Sequence, residues 1–73
     1  MLNTKTLLRD IGLALYGIGW EAEIALRRRV DVRIVRRWFV GTSSIPEDVW
    51  PQLRDEILKR KLDLEELLDR LPR

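Results

Sequence analysis

The segment from residue 27 to residue 40 constrains the fold more than any other part of this 73-residue chain. It contains a single acidic residue, Asp31, and six arginines, which are Arg27, Arg28, Arg29, Arg33, Arg36 and Arg37. Val32, Val35 and Trp38 lie between the arginines at the spacing of one face of an α-helix. A short helix, a turn and a second helix account for this pattern. We therefore predict a helix-turn-helix whose apolar side faces a core and whose arginines face outward.

Positive charge is concentrated in the same segment. The whole chain has a formal net charge of +2, but residues 27–40 alone carry +5, while residues 1–26 carry −1 and residues 41–73 carry −2. A solvated helix face usually mixes both signs, whereas a basic stripe is typical of a surface that binds a polyanion. Together with the helix-turn-helix pattern, the charge predicts double-stranded DNA as the partner, with the second helix in the major groove.

The composition argues against most other functions. The chain has neither cysteine nor histidine, which removes thiol chemistry, histidine general bases and the usual zinc ligands. Ser43 and Ser44 have no base to activate them, so we expect no enzymatic activity, no cofactor, no metal and no small-molecule substrate. No apolar run approaches a membrane span of about 18 residues and no signal-peptide core is apparent, so we expect a cytoplasmic protein without a membrane partner.

The N-terminal part of the chain predicts a first helix over residues 4–16. Asn3 or Thr4 is a suitable N-cap, and Gly17 is suited to end the helix in a left-handed conformation. The predicted apolar stripe consists of Leu7, Ile11, Ala14 and Leu15.

The two helices of the central motif are predicted over about residues 20–28 and 31–40. Ala25 lies where these helices would cross, and its small side chain permits a close approach. The later helix is the predicted recognition helix, with Asp31 as its N-cap and Gly41 as its C-cap glycine.

A further helix is predicted to begin near Ser44. Ser44 and Glu47 have the spacing of a capping box, and Pro46 suits a first turn. Pro51 removes one backbone hydrogen bond, so we expect a kink or a short turn before a straighter helix that reaches about Arg60.

The leucine-rich tail leaves two alternatives open. Asp63 and Glu66 fit a second capping box and predict a separate fifth helix. Alternatively, the apolar repeat continues through the tail and predicts one long helix with a coiled-coil seam. In either case this chain or another must cover four leucines, Leu64, Leu67, Leu68 and Leu71.

These patterns together predict an all-α fold. We expect a compact bundle of four to five short helices that contains a helix-turn-helix, with a C-terminal leucine-rich helix. Residues 1–60 would form the DNA-binding domain, and residues 61–73 would form a C-terminal helix for dimerisation.

The candidate DNA contacts fall into two groups. Arginine presents a planar fork of N–H donors that matches guanine and also pairs with phosphate. The candidate base readers are Val32, Arg33, Arg36 and Arg37, although core packing explains Val32 at least as well as contact with a thymine methyl. The candidate backbone contacts are Arg27, Arg28, Arg29, Thr42 and Ser43, with the amides after Gly41. Interaction with a helix dipole or loop solvation explains this second group equally well.

The spacing of several residues resembles that of a known family. The chain carries Tyr16-Gly17, Trp20, Ala25, Val30, Val35, Trp38 and Gly41, followed by Ile45-Pro46. Over roughly residues 7–58 this pattern resembles the Cro/CI-type, or XRE-like, helix-turn-helix transcriptional repressors of phages and mobile elements. The resemblance implies a repressor in a bacterial or phage-infected cell. It also implies a homodimer on a palindromic operator, with the C-terminal leucines as the dimerisation surface.

The resemblance implies residue roles and also shows departures. Recognition positions fall on Asp31, Val32, Arg33 and Arg37. Glu21 stands where the family often has a phosphate-binding glutamine, and it would repel a phosphate unless it caps the helix instead. Arg29 replaces a turn glycine, which costs about 1 kcal/mol in a left-handed conformation. Arg28 replaces a usual core leucine.

A protein-interaction module is the alternative function. An antitoxin or an inhibitor could use the basic helix against an acidic protein, with the helix-turn-helix as an inherited scaffold. DNA binding by the chain and by its arginine variants distinguishes the two functions.

Overall fold

The structure, a computed structural model, describes residues 3–72, and that part of the chain is helical with no strand, as predicted. The elements in order are α1 (Thr4–Tyr16), a 3-10 turn (Gly17–Gly19), α2 (Trp20–Arg28), α3 (Val32–Val40) and α4 (Val49–Arg70). The expectation of short helices throughout is wrong for α4, which has 22 residues. None of the helices in the described range is both long enough and apolar enough to cross a membrane.

Local capping chemistry sets the ends of α1. The Asn3 side chain accepts hydrogen bonds from the amides of Lys5 and Thr6, both at 3.1 Å. Gly17 ends the helix with a φ of 76°, a region that favours glycine. Its ψ of −153° differs from the predicted left-handed helical conformation, because the chain continues directly into the 3-10 turn.

The buried face of α1 is rotated from the predicted stripe. Leu8 and Leu15 are core residues, and Gly12 between them is also buried. A Cβ atom on Gly12 would lie 2.5 Å from the Trp20 ring, so the glycine provides the space that the indole fills. The prediction is wrong for Ala14, which is exposed, because the indole draws the Gly12 side of α1 inward.

The core lies between α1, α2, α3 and the first turns of α4. Phe39 packs edge-on against Trp20, with ring centroids 5.7 Å apart and an interplanar angle of 81°. No polar or charged residue of the described chain is buried. The buried hydrophobic residues are Leu8, Leu15, Trp20, Ile24, Ala25, Val35, Trp38, Val49 and Leu53.

The start of α4 differs from the prediction. The helix begins at Val49 after a turn at residues 47–48, so Ser44 and Glu47 do not cap it. Pro51 is the third residue of α4, where a backbone nitrogen has no helical partner in any case. The helix therefore tolerates Pro51 without a break. A short turn does precede α4, as one of the two alternatives predicted, with the amides of Val49 and Trp50 donating to the carbonyl oxygens of Pro46 and Glu47 at 3.1 and 3.4 Å.

The remainder of α4 continues to Arg70 without a break, so the alternative of a separate fifth helix is wrong. The predicted boundary between residues 60 and 61 falls inside this helix. Every residue from 57 to 72 is exposed, because this half of α4 projects beyond the helices that form the core. The molecule is elongated, with extents of 49 × 29 × 20 Å, rather than the predicted compact bundle.

Candidate nucleic-acid interface

The turn between α2 and α3 is built around Arg29. This residue has φ 57° and ψ 44°, the left-handed conformation. Its amide donates to the carbonyl oxygen of Leu26 at 3.2 Å. The amide of Val30 donates to the carbonyl oxygen of Ala25 at 3.0 Å, which completes a Schellman C-cap. An arginine therefore adopts the conformation that glycine would adopt with less strain, at a cost of about 1 kcal/mol.

Asp31 caps α3 as predicted and also binds Arg33. Its Oδ1 accepts the Arg33 amide at 2.8 Å. The guanidinium donates from Nε to Oδ1 at 3.1 Å and from Nη2 to Oδ2 at 3.0 Å. The side-chain and backbone hydrogen bonds lower the pKa of Asp31 to about 2, and the same side-chain bonds raise the pKa of Arg33. Arg33 is thus held at the N-terminus of α3, with its Nη1 group outside the pair.

α3 separates an apolar side from a basic side. Val35 and Trp38 are buried and anchor the helix to the core. Arg33, Arg36 and Arg37 are all exposed, as predicted. Neither Arg36 nor Arg37 forms an ion pair with any residue between 3 and 72. Two guanidinium groups on a firmly packed helix are therefore available to an external partner.

Val40, rather than Val32, is the apolar residue among the exposed arginines. Val32 is half-buried and packs against the core. Val40 has 65% of its surface exposed and follows Arg36 by four residues and Arg37 by three. Val40 was not among the candidates predicted from the sequence, although its helical spacing from Arg36 and Arg37 indicates that it lies on the same face.

The Arg28 side chain points inward, toward α3 and the start of α4. This side chain is only 15% exposed, and it donates to Gln52 Oε1 at 2.6 Å and to Asp48 Oδ1 at 3.1 Å. The guanidinium also lies 5.6 Å from the Trp38 ring centroid, and its Nε is buried with no hydrogen-bond partner in the described chain. Arg28 links α2 and α3 to the start of α4, and this packing does not support the predicted phosphate contact.

The neighbouring arginines differ from each other. Arg27 lies 3.5 Å from the carboxylates of both Glu23 and Glu56, and 4.9 Å from the Tyr16 ring centroid. Arg29 is exposed and forms no ion pair within residues 3–72. Of the three arginines predicted to contact the DNA backbone, only Arg29 presents an uncommitted guanidinium beside α3.

The loop after α3 offers hydroxyl groups but not all of the expected amides. Gly41 is a left-handed C-cap with φ 89° and ψ 13°, as predicted. The amides of residues 41–43 donate to the carbonyl oxygen of Arg37, at 3.0, 3.1 and 3.3 Å. The amides of Thr42 and Ser43 are therefore already engaged within the chain, which does not favour the expected contacts of these amides with a phosphate. Both side chains are exposed and line a groove of about 380 Å³ that Lys5 also lines.

Glu21 lies in the first turn of α2 but does not cap the helix. The N-terminus of α2 has no side-chain hydrogen bond of the capping type. A carboxylate at this position interacts favourably with the positive end of the helix dipole. A phosphate at the same helix end would be repelled by that charge, so the N-terminus of α2 is not a favourable phosphate site.

The four leucines predicted to form a dimer interface make no part of the core. They lie on the half of α4 that projects from the other helices, away from the residues that bury Val35 and Trp38. The exposed fractions of Leu64, Leu67, Leu68 and Leu71 are 52%, 52%, 67% and 61%.

The chain was compared with protein-family models, with curated proteins and with solved structures, and none of the three comparisons found a match. The resemblance to Cro/CI-type repressors therefore stays a prediction. Function is inferred from the exposed residues of α3, their charge and the packing of the helix that carries them.

Proposed function

We propose that the chain is a sequence-specific double-stranded DNA-binding transcriptional regulator. It acts as a dimer on a palindromic operator and represses transcription, with α3 in the major groove. The observation that carries the proposal is that α3 has a buried side and a basic side. Val35 and Trp38 fix the helix in the core, and it exposes Arg36 and Arg37, which form no ion pair within the described residues 3–72. An α-helix fits the major groove, and guanidinium groups match the acceptors of guanine.

The base-reading surface consists of Arg33, Arg36 and Arg37 with Val40. Arg36 and Arg37 donate to guanine or to phosphate, and Val40 contacts a thymine methyl. Arg33 uses its Nη1 group while Asp31 holds the other side of the guanidinium, so this pair restricts its position. Val32 is omitted because it packs against the core.

The DNA backbone is bound at both ends of α3. Arg29 precedes the helix, and the hydroxyl groups of Thr42 and Ser43 follow it, all of them exposed. Phosphate contacts of this kind position a recognition helix without reading sequence. They also make affinity fall steeply as the salt concentration rises.

The test begins with selection of a cognate duplex from a randomised pool, followed by titration of each variant against this duplex and a scrambled one. We expect Arg36→Ala or Arg37→Ala to weaken cognate binding by roughly 5- to 150-fold, as is typical of base-contacting arginines. Arg29→Ala should weaken binding to both duplexes and reduce the slope of log affinity against log salt by about 1.

Arg54→Ala is the matched control, because Arg54 is an exposed arginine on α4 and its removal changes the net charge equally. It should leave cognate affinity nearly unchanged. If the triple variant of Arg33, Arg36 and Arg37 binds the cognate duplex as tightly as the parent, α3 is not the recognition helix. If no duplex is selected at low salt, a protein-interaction module replaces the DNA-binding proposal.

A further inference from the structure

An apolar groove lies between α1 and the projecting half of α4. Its volume is about 540 Å³, and Ile11 and Ala14 of α1 line one wall. Ile57, Leu64 and Leu68 of α4 line the other wall. Nothing within residues 3–72 fills this groove, so apolar surface of both helices is left in contact with solvent.

The groove continues along α4 as an apolar seam. Ile57, Leu64 and Leu71 are seven residues apart, and Leu67 and Leu68 lie beside them, which is the spacing of a coiled-coil face. Most helical stability comes from packing of the apolar face, so exposed leucines add little stability to α4. The seam and the groove together have the shape that accepts one further helix.

Charge along the seam changes sign. Lys59, Arg60 and Lys61 are consecutive cations, and the acidic residues Asp63, Glu65, Glu66 and Asp69 follow them. Within the chain these charges are weakly used, since the Lys61–Glu65 and Arg70–Glu66 pairs are exposed and 4.0 Å long. A partner helix therefore meets a basic stretch followed by an acidic one.

This charge order distinguishes the two orientations of a self-pair. Parallel pairing of two copies of α4 would bring Arg60 and Lys61 of both copies to the same level of the seam, where like charges repel. Antiparallel pairing brings the basic stretch of each copy beside the acidic stretch of the other, which is electrostatically complementary.

We infer that α4 pairs antiparallel with α4 of a second copy of this chain, centred near residue 63, and that the pairing fills the groove. In this register Lys61 faces Glu65 of the partner subunit, and Glu56 faces Arg70 of the partner subunit. In each case the two residues lie on the same edge of α4, and an antiparallel two-fold brings identical edges together. The small side chain of Ala14 lets the incoming helix approach α1.

The inference deepens the dimeric part of the proposed function, and it can be tested without DNA. Sedimentation of the whole chain over a range of concentrations should show a reversible dimer. Lys61→Glu and Glu65→Lys should each raise the dimer dissociation constant by roughly tenfold or more, because two attractive contacts become repulsive. An equimolar mixture of these two variants should restore association, since each opposite charge is then supplied by the other chain.

That mixture separates contacts between chains from contacts within one. The repulsion between residues 61 and 65 inside each variant persists in the mixture, so recovery arises only from pairing between chains. Arg54→Glu is the control, because Arg54 is exposed on α4 but precedes the seam, and it should leave dimerisation unchanged. A chain that stays monomeric at every concentration, or variants whose mixture does not recover, overturns the inference.

Orientation is tested by introduced cysteines, because the chain has none of its own. A mixture of Ile57→Cys and Leu68→Cys should form a disulfide between chains on oxidation. Ile57→Cys alone should not, since its two copies would be about 18 Å apart along the helices, beyond the reach of a disulfide. Efficient cross-linking of Ile57→Cys alone would instead indicate parallel pairing and overturn the proposed orientation.

The two proposals fail separately. A chain that dimerises through α4 but selects no duplex contradicts the DNA-binding function and leaves this inference standing. A chain that binds its selected duplex as a monomer, with its leucines still exposed, contradicts the pairing and leaves the recognition helix standing.

Discussion

α3 and the projecting half of α4 are both amphipathic helices, but their apolar sides are in opposite environments. The apolar side of α3 is buried by its own chain, through Val35 and Trp38, and its polar side is free to bind. The apolar side of α4 beyond residue 57 is exposed. An amphipathic pattern thus predicts a helix and its apolar face, but it does not identify the surface that covers that face.

The difference follows from length and position. α3 has nine residues, and its buried side chains, Val35 and Trp38, share one core with residues of α1, α2 and α4. α4 has 22 residues, about 33 Å of helix, and its buried residues, Val49 and Leu53, lie in its first turns. From Ile57 to Leu68 it is separated from α1 by the apolar groove. Burial of α4 within one chain therefore stops where the helix is no longer in close contact with α1.

The largest expected effect on the free energy of unfolding comes from replacing a tryptophan of α3, and the comparison is with a leucine of α4. Trp38→Ala should destabilise the fold by about 3–5 kcal/mol, because it empties the centre of the core. Leu64→Ala should have little effect when the chain is dilute, and its effect should grow as protein concentration rises and the chain dimerises. Urea denaturation at two protein concentrations measures both. An equal loss for Leu64→Ala at both concentrations would mean that this leucine packs within its own chain.

The next contrast concerns two glycines, Gly12 within α1 and Gly19 directly before α2. Gly12→Ala should cost about 1–3 kcal/mol, because the new Cβ would lie 2.5 Å from the Trp20 ring. Gly19→Ala is the matched control, since a Cβ there meets nothing within 4 Å. Thermal unfolding should show a clear loss for the first variant and almost none for the second. Similar values for both would mean that the indole can move away from α1 without cost.

A smaller effect on stability distinguishes Arg28, which packs against the protein, from Arg36, which is exposed. Arg28→Ala should cost about 1–2 kcal/mol, through lost packing and lost hydrogen bonds to Gln52 and Asp48. Arg36→Ala removes the same charge from an exposed position and should change stability by less than about 0.5 kcal/mol. Chemical denaturation of the two variants tests this, and a larger loss for Arg36→Ala would contradict the assignment.

The smallest effect is a dependence of stability on pH at the cap of α3. Hydrogen bonds from Arg33 lower the pKa of Asp31 from 3.8 to about 2 in the folded chain. A lowered folded pKa means that the stabilisation is fully present above about pH 4 and is lost as the pH falls toward 2. Thermal midpoints at pH 5 and pH 2.5 should therefore differ more for the parent than for Asp31→Asn, which keeps a capping side chain. Equal differences would show that the pair contributes nothing to folding.

Helix ends were predictable where local chemistry sets them. Asn3, Asp31 and Gly41 form hydrogen bonds within a few residues, and α1, α2 and α3 have the predicted extents. The face of α1 was not predictable, because Gly12 is buried through the position of Trp20, which is a tertiary contact. The same limit applies at the start of α4, where burial of Val49 and Leu53 accompanies a later start than the capping-box spacing predicts.

The candidate site divides in the same way. Helical periodicity predicted that Arg33, Arg36 and Arg37 face solvent, because their positions relative to Val35 follow from the helix alone. Arg28 follows buried Ile24 by four residues, so helical spacing within α2 places it on the inward side of the helix. Its hydrogen bond to Gln52, which is 24 residues away, is a tertiary contact that this spacing does not predict.

In the proposed DNA-bound dimer, the unbroken backbone of α4 would set the distance between the two copies of α3. With pairing centred near residue 63, the two Val49 residues of a dimer would be about 42 Å apart along the paired helices. Each copy carries its α3 next to that end of α4, because Trp38, Val49 and Leu53 share one core. One turn of B-DNA spans about 34 Å, so the half-site spacing of the proposed operator would depend on where α3 lies relative to the Val49 end of each α4. Inserting or deleting a helical turn within α4 would then alter the number of base pairs between the half-sites.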